Sequence, residues 1–279
     1  MATRSDPDIR PDSRFACVDG TQMHYKRSGT GPPVLLLHGS ASSLYGVEAV
    51  AQRLWGNFDV IRPDLPGFGV TGPRLDRDYR VSTYATTIAR FLDAIDVPQC
   101  AVAGNSLGGN IAWNLALDAP QHVSALVLIN ATGYPEKALP AGMALARNPV
   151  IGQVLRRVMP RRAVERSLRQ AVGDPTVIDD AAIDRAHRLW NRPGNPAAFV
   201  DFVTTDQPDR SVDIPNITVP TLVLRSAGMD GQHYAQDIAG SIETVHPHGG
   251  HLLPQEDPAW VADAITGFLQ SLAENGRGR

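Results

Sequence analysis

The sequence predicts an α/β protein: a mostly parallel, doubly wound sheet with an inserted helical cap. Three observations carry that prediction. Short apolar runs alternate with helical stretches, as they do when each strand returns to the same sheet through a crossover helix. One run, Cys100-Ala101-Val102-Ala103-Gly104-Asn105, ends at Ser106 between glycines and gives way directly to a helical pattern. Between about Gly133 and Val212 the alternation stops, leaving helical segments broken by Pro140, Pro149, Pro160, Pro175, Pro193 and Pro196.

Taken in order, residues 1–13 are polar and punctuated by proline, the pattern of a disordered tail. Phe15–Val18 and Gln22–Lys26 flank Asp19-Gly20, a hairpin signal, so the chain opens with antiparallel strands. Pro33–Leu37 is apolar without alternation, as a strand buried on both faces must be. A helix over Val47–Trp55, a strand over Phe58–Ile61 and a breaker-rich turn from Arg62 to Gly72 follow. Ser82 to Ile95 reads as a helix with Ser82 as its N-cap. After the strand at Cys100, the helix to Leu117 and the strand Ser124–Ile129 comes the insertion. Beyond it lie a strand at Thr221–Arg225, a helix near Gln232–Ala239, a strand near Ile242–Val245, and a last helix from Asp257-Pro258 to about Leu272. The implied division is a core of 14–132 and 213–279 with a helical cap of 133–212.

The composition excludes several classes of function. A net charge of −3 and a pI near 6.2 give no basic footprint for nucleic acid. Two cysteines, Cys17 and Cys100, in 279 residues suit a reducing compartment. The N-terminus has no apolar signal region and no run is long enough to span a bilayer, so the expectation is a cytoplasmic protein without a membrane span. The expected partner is a small-molecule substrate, with no cofactor and no metal. One stretch departs from the balance: Lys137 to Arg169 holds eight basic residues against Glu165 alone, and a solvated helix face is its first explanation, with attraction of an anionic substrate or acidic surface as the other.

The spacing Gly104-x-Ser106-x-Gly108 is what a sharp strand-to-helix turn requires, because strand and helix backbones pass too closely there for side chains. By itself it could be a structural turn. A serine nucleophile also needs a base and a carboxylate to orient that base. Asp230 is the carboxylate in the loop after the strand ending near Arg225, where it could equally be a solvated turn residue. Of the histidines, His251 follows Gly249-Gly250 between the last strand and last helix; His246 and His248 lie nearer the strand end. Two backbone N–H groups must face a developing oxyanion. Leu107, opening the elbow helix, supplies one; Ser40, with Ala41 next, is the candidate for the second, and His38 holds the loop.

His38-Gly39, Asp64-Leu65-Pro66-Gly67-Phe68-Gly69, Gly104-Asn105-Ser106-Leu107-Gly108-Gly109, Asp230 and Gly250-His251 before Glu256-Asp257-Pro258 occur in the order found in one family. From Phe15 to Leu272 the chain resembles the α/β-hydrolase superfamily, in its serine-nucleophile branch with a helical cap. The resemblance implies Ser106, Asp230 and His251 as triad, Ser40 and Leu107 as oxyanion donors, and Asp64 as a loop-ordering residue. A serine at the elbow speaks against the aspartate-nucleophile branches that resemble epoxide hydrolases and dehalogenases. The expected activity is hydrolysis of a small carboxylic ester or lactone through an acyl-enzyme. Two alternatives stay open: C–C bond hydrolysis of ring-fission products or cofactor-free perhydrolysis by the same triad, and a non-catalytic ligand-binding member. The elbow also resembles that of C–C hydrolases, but Ser40-Ala41-Ser42-Ser43 and Leu252 stand where those carry a Gly-Pro-Gly-like loop and a tryptophan.

Overall fold

A computed structural model describes residues 6–135, 141–229 and 231–277. Its centre is an eight-stranded sheet in the order β1-β2-β4-β3-β5-β6-β7-β8. The strands are β1 (Arg14–Val18), β2 (Thr21–Ser28), β3 (Pro33–Leu37), β4 (Asp59–Pro63), β5 (Cys100–Asn105), β6 (Val123–Ile129), β7 (Thr221–Ser226) and β8 (Ile242–His246). Only the pairings of β2 with β1 and β4 are antiparallel, and the rest of the sheet is parallel.

The sheet is buried on both faces, and alternate side chains sort between them. In β3, Val34 and Leu36 enter one apolar cluster while Leu35 and Leu37 enter the other. That period-two division across an unbroken apolar run is what a central parallel strand needs. Helices α1 (Glu48–Leu54) and α11 (Pro258–Arg277) cover the first face through Val50, Leu54, Ile265 and Phe268. The second is covered by α2 (Val81–Ala94) and α3 (Leu107–Asp118) through Ile88, Phe91, Ile111 and Leu115.

Between β6 and β7 lie α4 (Ala141–Ala146), α5 (Pro149–Leu155), α6 (Arg161–Gln170), α7 (Asp180–Trp190) and α8 (Asn195–Thr204), with no strand among the described residues. Ala146, Met159, Val164, Trp190 and Phe199 join them to the apolar cluster on the α2–α3 side. The two short helices α9 (Tyr234–Asp237) and α10 (Leu253–Glu256) complete the set. No described helix is long and apolar enough to cross a membrane.

Four expectations need correction. Within the tail expected to be disordered, residues 6–13 are tied down: the Asp8 carboxylate is buried and paired with Arg188 of α7 at 2.7 Å, Asp6 pairs with Arg192, and Asp12 pairs with Lys26 at 2.9 Å. A polar, proline-punctuated segment gains order here from Lys26 and, above all, from arginines 180 or more positions away. Ser82 is not the cap of α2, whose first residue is Val81; the Val81 N–H is taken by Gln207 Oε1 at 2.9 Å instead. Finally, α11 runs to Arg277, past the Leu272 limit, and the helix expected near Gln232–Ala239 contracts to the single turn of α9.

Candidate active site

All the parallel strands point their C-terminal ends the same way, and the loops leaving β3, β5, β6, β7 and β8 meet there. In a doubly wound sheet this is where ligands bind. At the end of β5 the chain reverses within one residue: Ser106 has φ 56° and ψ −116°, a left-handed conformation that costs an L-residue about 1–3 kcal/mol. What holds it there is packing without side chains. A Cβ on Gly104 would fall 2.2 Å from the Gly108 carbonyl, and one on Gly108 would fall 2.3 Å from the Leu37 carbonyl oxygen. Ser106 N–H donates to Ile129 O at 3.0 Å, and its carbonyl accepts from Asn110 N–H at 3.0 Å and Thr132 N–H at 3.2 Å. The serine backbone is therefore fixed on three sides, and its side chain is delivered to the end of the sheet.

There, Ser106 Oγ stands 2.8 Å from His251 Nε2. The two residues are 145 positions apart in the chain. The histidine loop is anchored by a set of polar side chains. Asn105 Nδ2 donates to His251 O at 3.0 Å while also donating to Ile129 O. Asn130, at the end of β6 with φ 42°, donates to Gly250 O at 2.9 Å and to Ser226 Oγ at 3.0 Å, and its Oδ1 accepts from Ser226 N–H. Glu256 accepts from Gly250 N–H at 2.7 Å and, through its other oxygen, from Gly173 and Asp174 N–H. The backbone N–H groups of His251 and Leu252 both donate to Ala171 O. Thus the loop carrying His251 is held between the elbow and the segment after α6.

Asn130 and Glu256 carry much of this arrangement, and the sequence gives only a faint sign of either. Asn130 directly follows a buried strand, where asparagine tolerates a left-handed turn better than most residues. Glu256 looks like an ordinary first-turn carboxylate. The rival histidines do not reach the serine: His246 packs edge-on against Trp260 with centroids 5.0 Å apart, and His248 lies exposed. Asp230 lies outside the described residues.

The loop after β3 runs against the elbow, since a Cβ on Gly39 would lie 3.3 Å from Ser106 Cβ. Ser40 follows, and Ala41 then takes φ 56°, reversing the chain. Leu107 is buried as the first residue of α3, where a helix leaves its backbone N–H groups without intrahelical partners. Two buried groups keep the β3 loop in shape. His38 Nε2 accepts from Leu65 N–H at 3.0 Å, which leaves Nδ1 as the donor to Gly39 O at 2.7 Å. Burial holds the His38 pKa below its usual value, so this neutral form persists. Asp64 accepts from Leu44 N–H and Val70 N–H, each at 2.7 Å, and pairs with His24 Nδ1 at 2.8 Å. Burial alone would raise its pKa; the His24 bond and charge, with the backbone donors, outweigh that and hold the carboxyl below its usual range.

A cavity of about 50 Å³ opens beside this loop, between Ala41–Gly46, Gly67–Gly69 and the helices α7 and α8. Trp190 lines it and meets Phe199 edge-to-face, while Phe68 packs between His38 and Phe202. Among the described residues, no cluster of three or more His, Cys, Asp or Glu side chains is placed to hold a metal.

Comparison with known proteins agrees with this fold. A family model described as alpha/beta hydrolase fold matches residues 32–159, spanning β3, the elbow and β6. The chain has the α/β-hydrolase fold, and those 128 of its 279 residues match the family. Its hydrolase relatives include the uncharacterized hydrolase YugF of Bacillus subtilis, 26% identical over 271 residues that make up 94% of this chain and 99% of that protein. Among solved structures, Est816, described as an N-acyl homoserine lactone degrading enzyme, superposes with a TM-score of 0.75 at 25% identity, covering 91% of this chain and all of the other. A thermophilic esterase from Thermogutta terrifontis shares the fold with a TM-score of 0.78 at 23% identity, over 93% of this hydrolase and 98% of the esterase.

Proposed function

We propose that this hydrolase cleaves small carboxylic esters or lactones through an acyl-enzyme on Ser106. The observation that carries the reading is the 2.8 Å approach of His251 Nε2 to the hydroxyl of a serine held in a left-handed turn. In the tautomer with Nε2 bare, Ser106 Oγ–H donates to it, and the imidazole is in place to take the proton as Oγ attacks the substrate carbonyl. The carbonyl oxygen, now negative, faces the N–H groups of Leu107 and Ser40, each worth about 3 kcal/mol of transition-state stabilisation. Collapse of the tetrahedral intermediate expels the alkoxide, which leaves as an alcohol with the proton from His251. Water, deprotonated by His251, then attacks the acyl-Ser106 ester and frees the acid. Asp230 completes the triad by orienting and charge-balancing the imidazole. In a lactone, the alcohol and acid are two ends of one molecule.

Residues 133–212 act as the cap over a core of 14–132 and 213–279, and the cap residues Leu189 and Trp190 meet Ala41 and Phe68 of the core in the small cavity beside the β3 loop. The likeness to an N-acyl homoserine lactone degrading enzyme supports keeping lactones in the substrate class. Fluorophosphonate labelling together with p-nitrophenyl ester turnover tests the reading. The wild-type protein is expected to label and turn over, and Ser106→Ala to do neither while keeping its circular dichroism spectrum. Turnover retained in Ser106→Ala would overturn the mechanism, and a folded wild type that neither labels nor hydrolyses would point to a binding role.

A further inference from the structure

The basic part of the insertion carries a feature that the active site does not use. Helix α5 and the turn after it have an inner side, where Gly152 is buried and Leu155 packs on the main core. Their outer side is apolar as well. Val150, Val154 and Val158, four residues apart, are 74%, 55% and 48% exposed, and Leu145 is 55% exposed just before them. An outward helix face is ordinarily polar, and contiguous exposed apolar surface marks an interaction site.

Arginines follow this stripe in the chain, Arg156 and Arg157 just before Val158 and four more on α6 directly after it, and they divide into two sets. Arg161 and Arg169 are paired with Glu165, Asp180 and Asp184, and Arg156 with Asp201. Arg157, Arg162 and Arg166 are exposed, and none of them pairs with a carboxylate among the described residues. On α6, Arg162 and Arg166 sit one turn apart while Val164 between them is fully buried, so both lie on the side away from the core.

We infer that this face docks on an anionic bilayer surface, with Val150, Val154 and Val158 entering the headgroup layer and Arg157, Arg162 and Arg166 meeting lipid phosphates. Charge decides the occupant. Two copies of this chain meeting about a two-fold axis would bring the same arginines together, whereas an anionic lipid surface answers both the apolar stripe and the unpaired cations. The inference is independent of the esterase reading, because none of these residues belongs to the proposed catalytic set.

Vesicle co-sedimentation of the full-length protein tests it, using phosphatidylcholine alone and phosphatidylcholine with about one-third phosphatidylglycerol. The protein is expected to sediment with the anionic vesicles, to stay in solution with the neutral ones, and to be released by salt. The R157Q/R162Q/R166Q variant should bind about a hundredfold more weakly, taking each arginine as worth about a factor of five at the surface. V150S/V154S should lose about tenfold. Both variants should keep the wild-type circular dichroism and, on a water-soluble ester, the wild-type turnover. Absence of binding, equal binding to neutral vesicles, or variants that bind like wild type would each overturn the inference. So would a concentration-dependent dimer that V150S/V154S dissociates.

Discussion

Replacing Gly104 by alanine adds one methyl group at the most crowded point of the elbow. Its carbon would lie 2.2 Å from the carbonyl carbon and oxygen of Gly108 and 2.5 Å from the amide nitrogen of Gly109. These are backbone atoms in the first turn of α3, so no rotamer change can relieve the contact. Reaching ordinary contact requires α3 and β5 to separate by roughly 1.2 Å, in a core that does not compress. We expect a loss on the order of 3 kcal/mol, the upper range for an overpacked core. In a chain of this size that lowers the melting temperature by about 6–12 °C. The shift also pulls Ser106 from His251, so turnover should fall more than the folded fraction does. Gly267 provides the control: it is exposed within α11, and a Cβ there meets nothing within 4 Å. Gly267→Ala should therefore stabilise by about 1 kcal/mol through helix propensity alone. Urea denaturation of the two variants, with ester turnover for each, reads both signs. A Gly104→Ala protein with wild-type stability and activity would refute the elbow argument.

Three other perturbations have defined outcomes. Ser106→Gly and Ser106→Ala both lack the hydroxyl, but only glycine accepts φ 56° freely, so the glycine variant should be the more stable by about 1 kcal/mol in urea titration. Asp64→Asn removes a buried carboxylate acceptor and should cost about 2–3 kcal/mol near neutral pH. Because the folded carboxyl titrates below its usual 3.8, that contribution is complete above 3.8 and is lost as pH falls through the lowered value; unfolding curves of wild type and variant should converge on acidification below 3.8. Glu48→Ala leaves the Arg62 guanidinium buried without the partner it now meets at 2.6 and 3.1 Å, and a loss on the order of 3 kcal/mol is expected. The double variant Glu48→Leu/Arg62→Met should recover much of it, as measured by the denaturation midpoint.

Much of the sheet was legible because its rules are local. The unbroken apolar run at Val34–Leu37 specified a central strand, and its side chains do divide between two clusters. The hairpin at Asp19-Gly20 is the β1–β2 turn, with Asp19 at φ 50° and Gly20 at φ 79°. What escaped was set by partners distant in sequence. Residues 6–13 lack any local ordering signal, and Arg188 and Arg192 of the distant insertion hold them. Ser82 has the chemistry of a cap, yet Gln207 reaches the helix end first. Asn130 and Glu256 cross-link loops that only the folded sheet brings together.

The active-site residues divide the same way. Sequence alone determined the elbow: glycines two positions on either side of Ser106 are a requirement of backbone clearance, which the chain writes locally. It also singled out His251 over His246 and His248 by the Gly249-Gly250 pair before it, but not how that ring comes to Ser106. Tertiary structure supplies that approach. The register of β8 beside β7 turns His246 onto Trp260, while Asn105, Asn130 and Glu256 hold the next loop so that His251 alone of the three meets Ser106. A direction in space separates the three, and only long-range hydrogen bonds fix it.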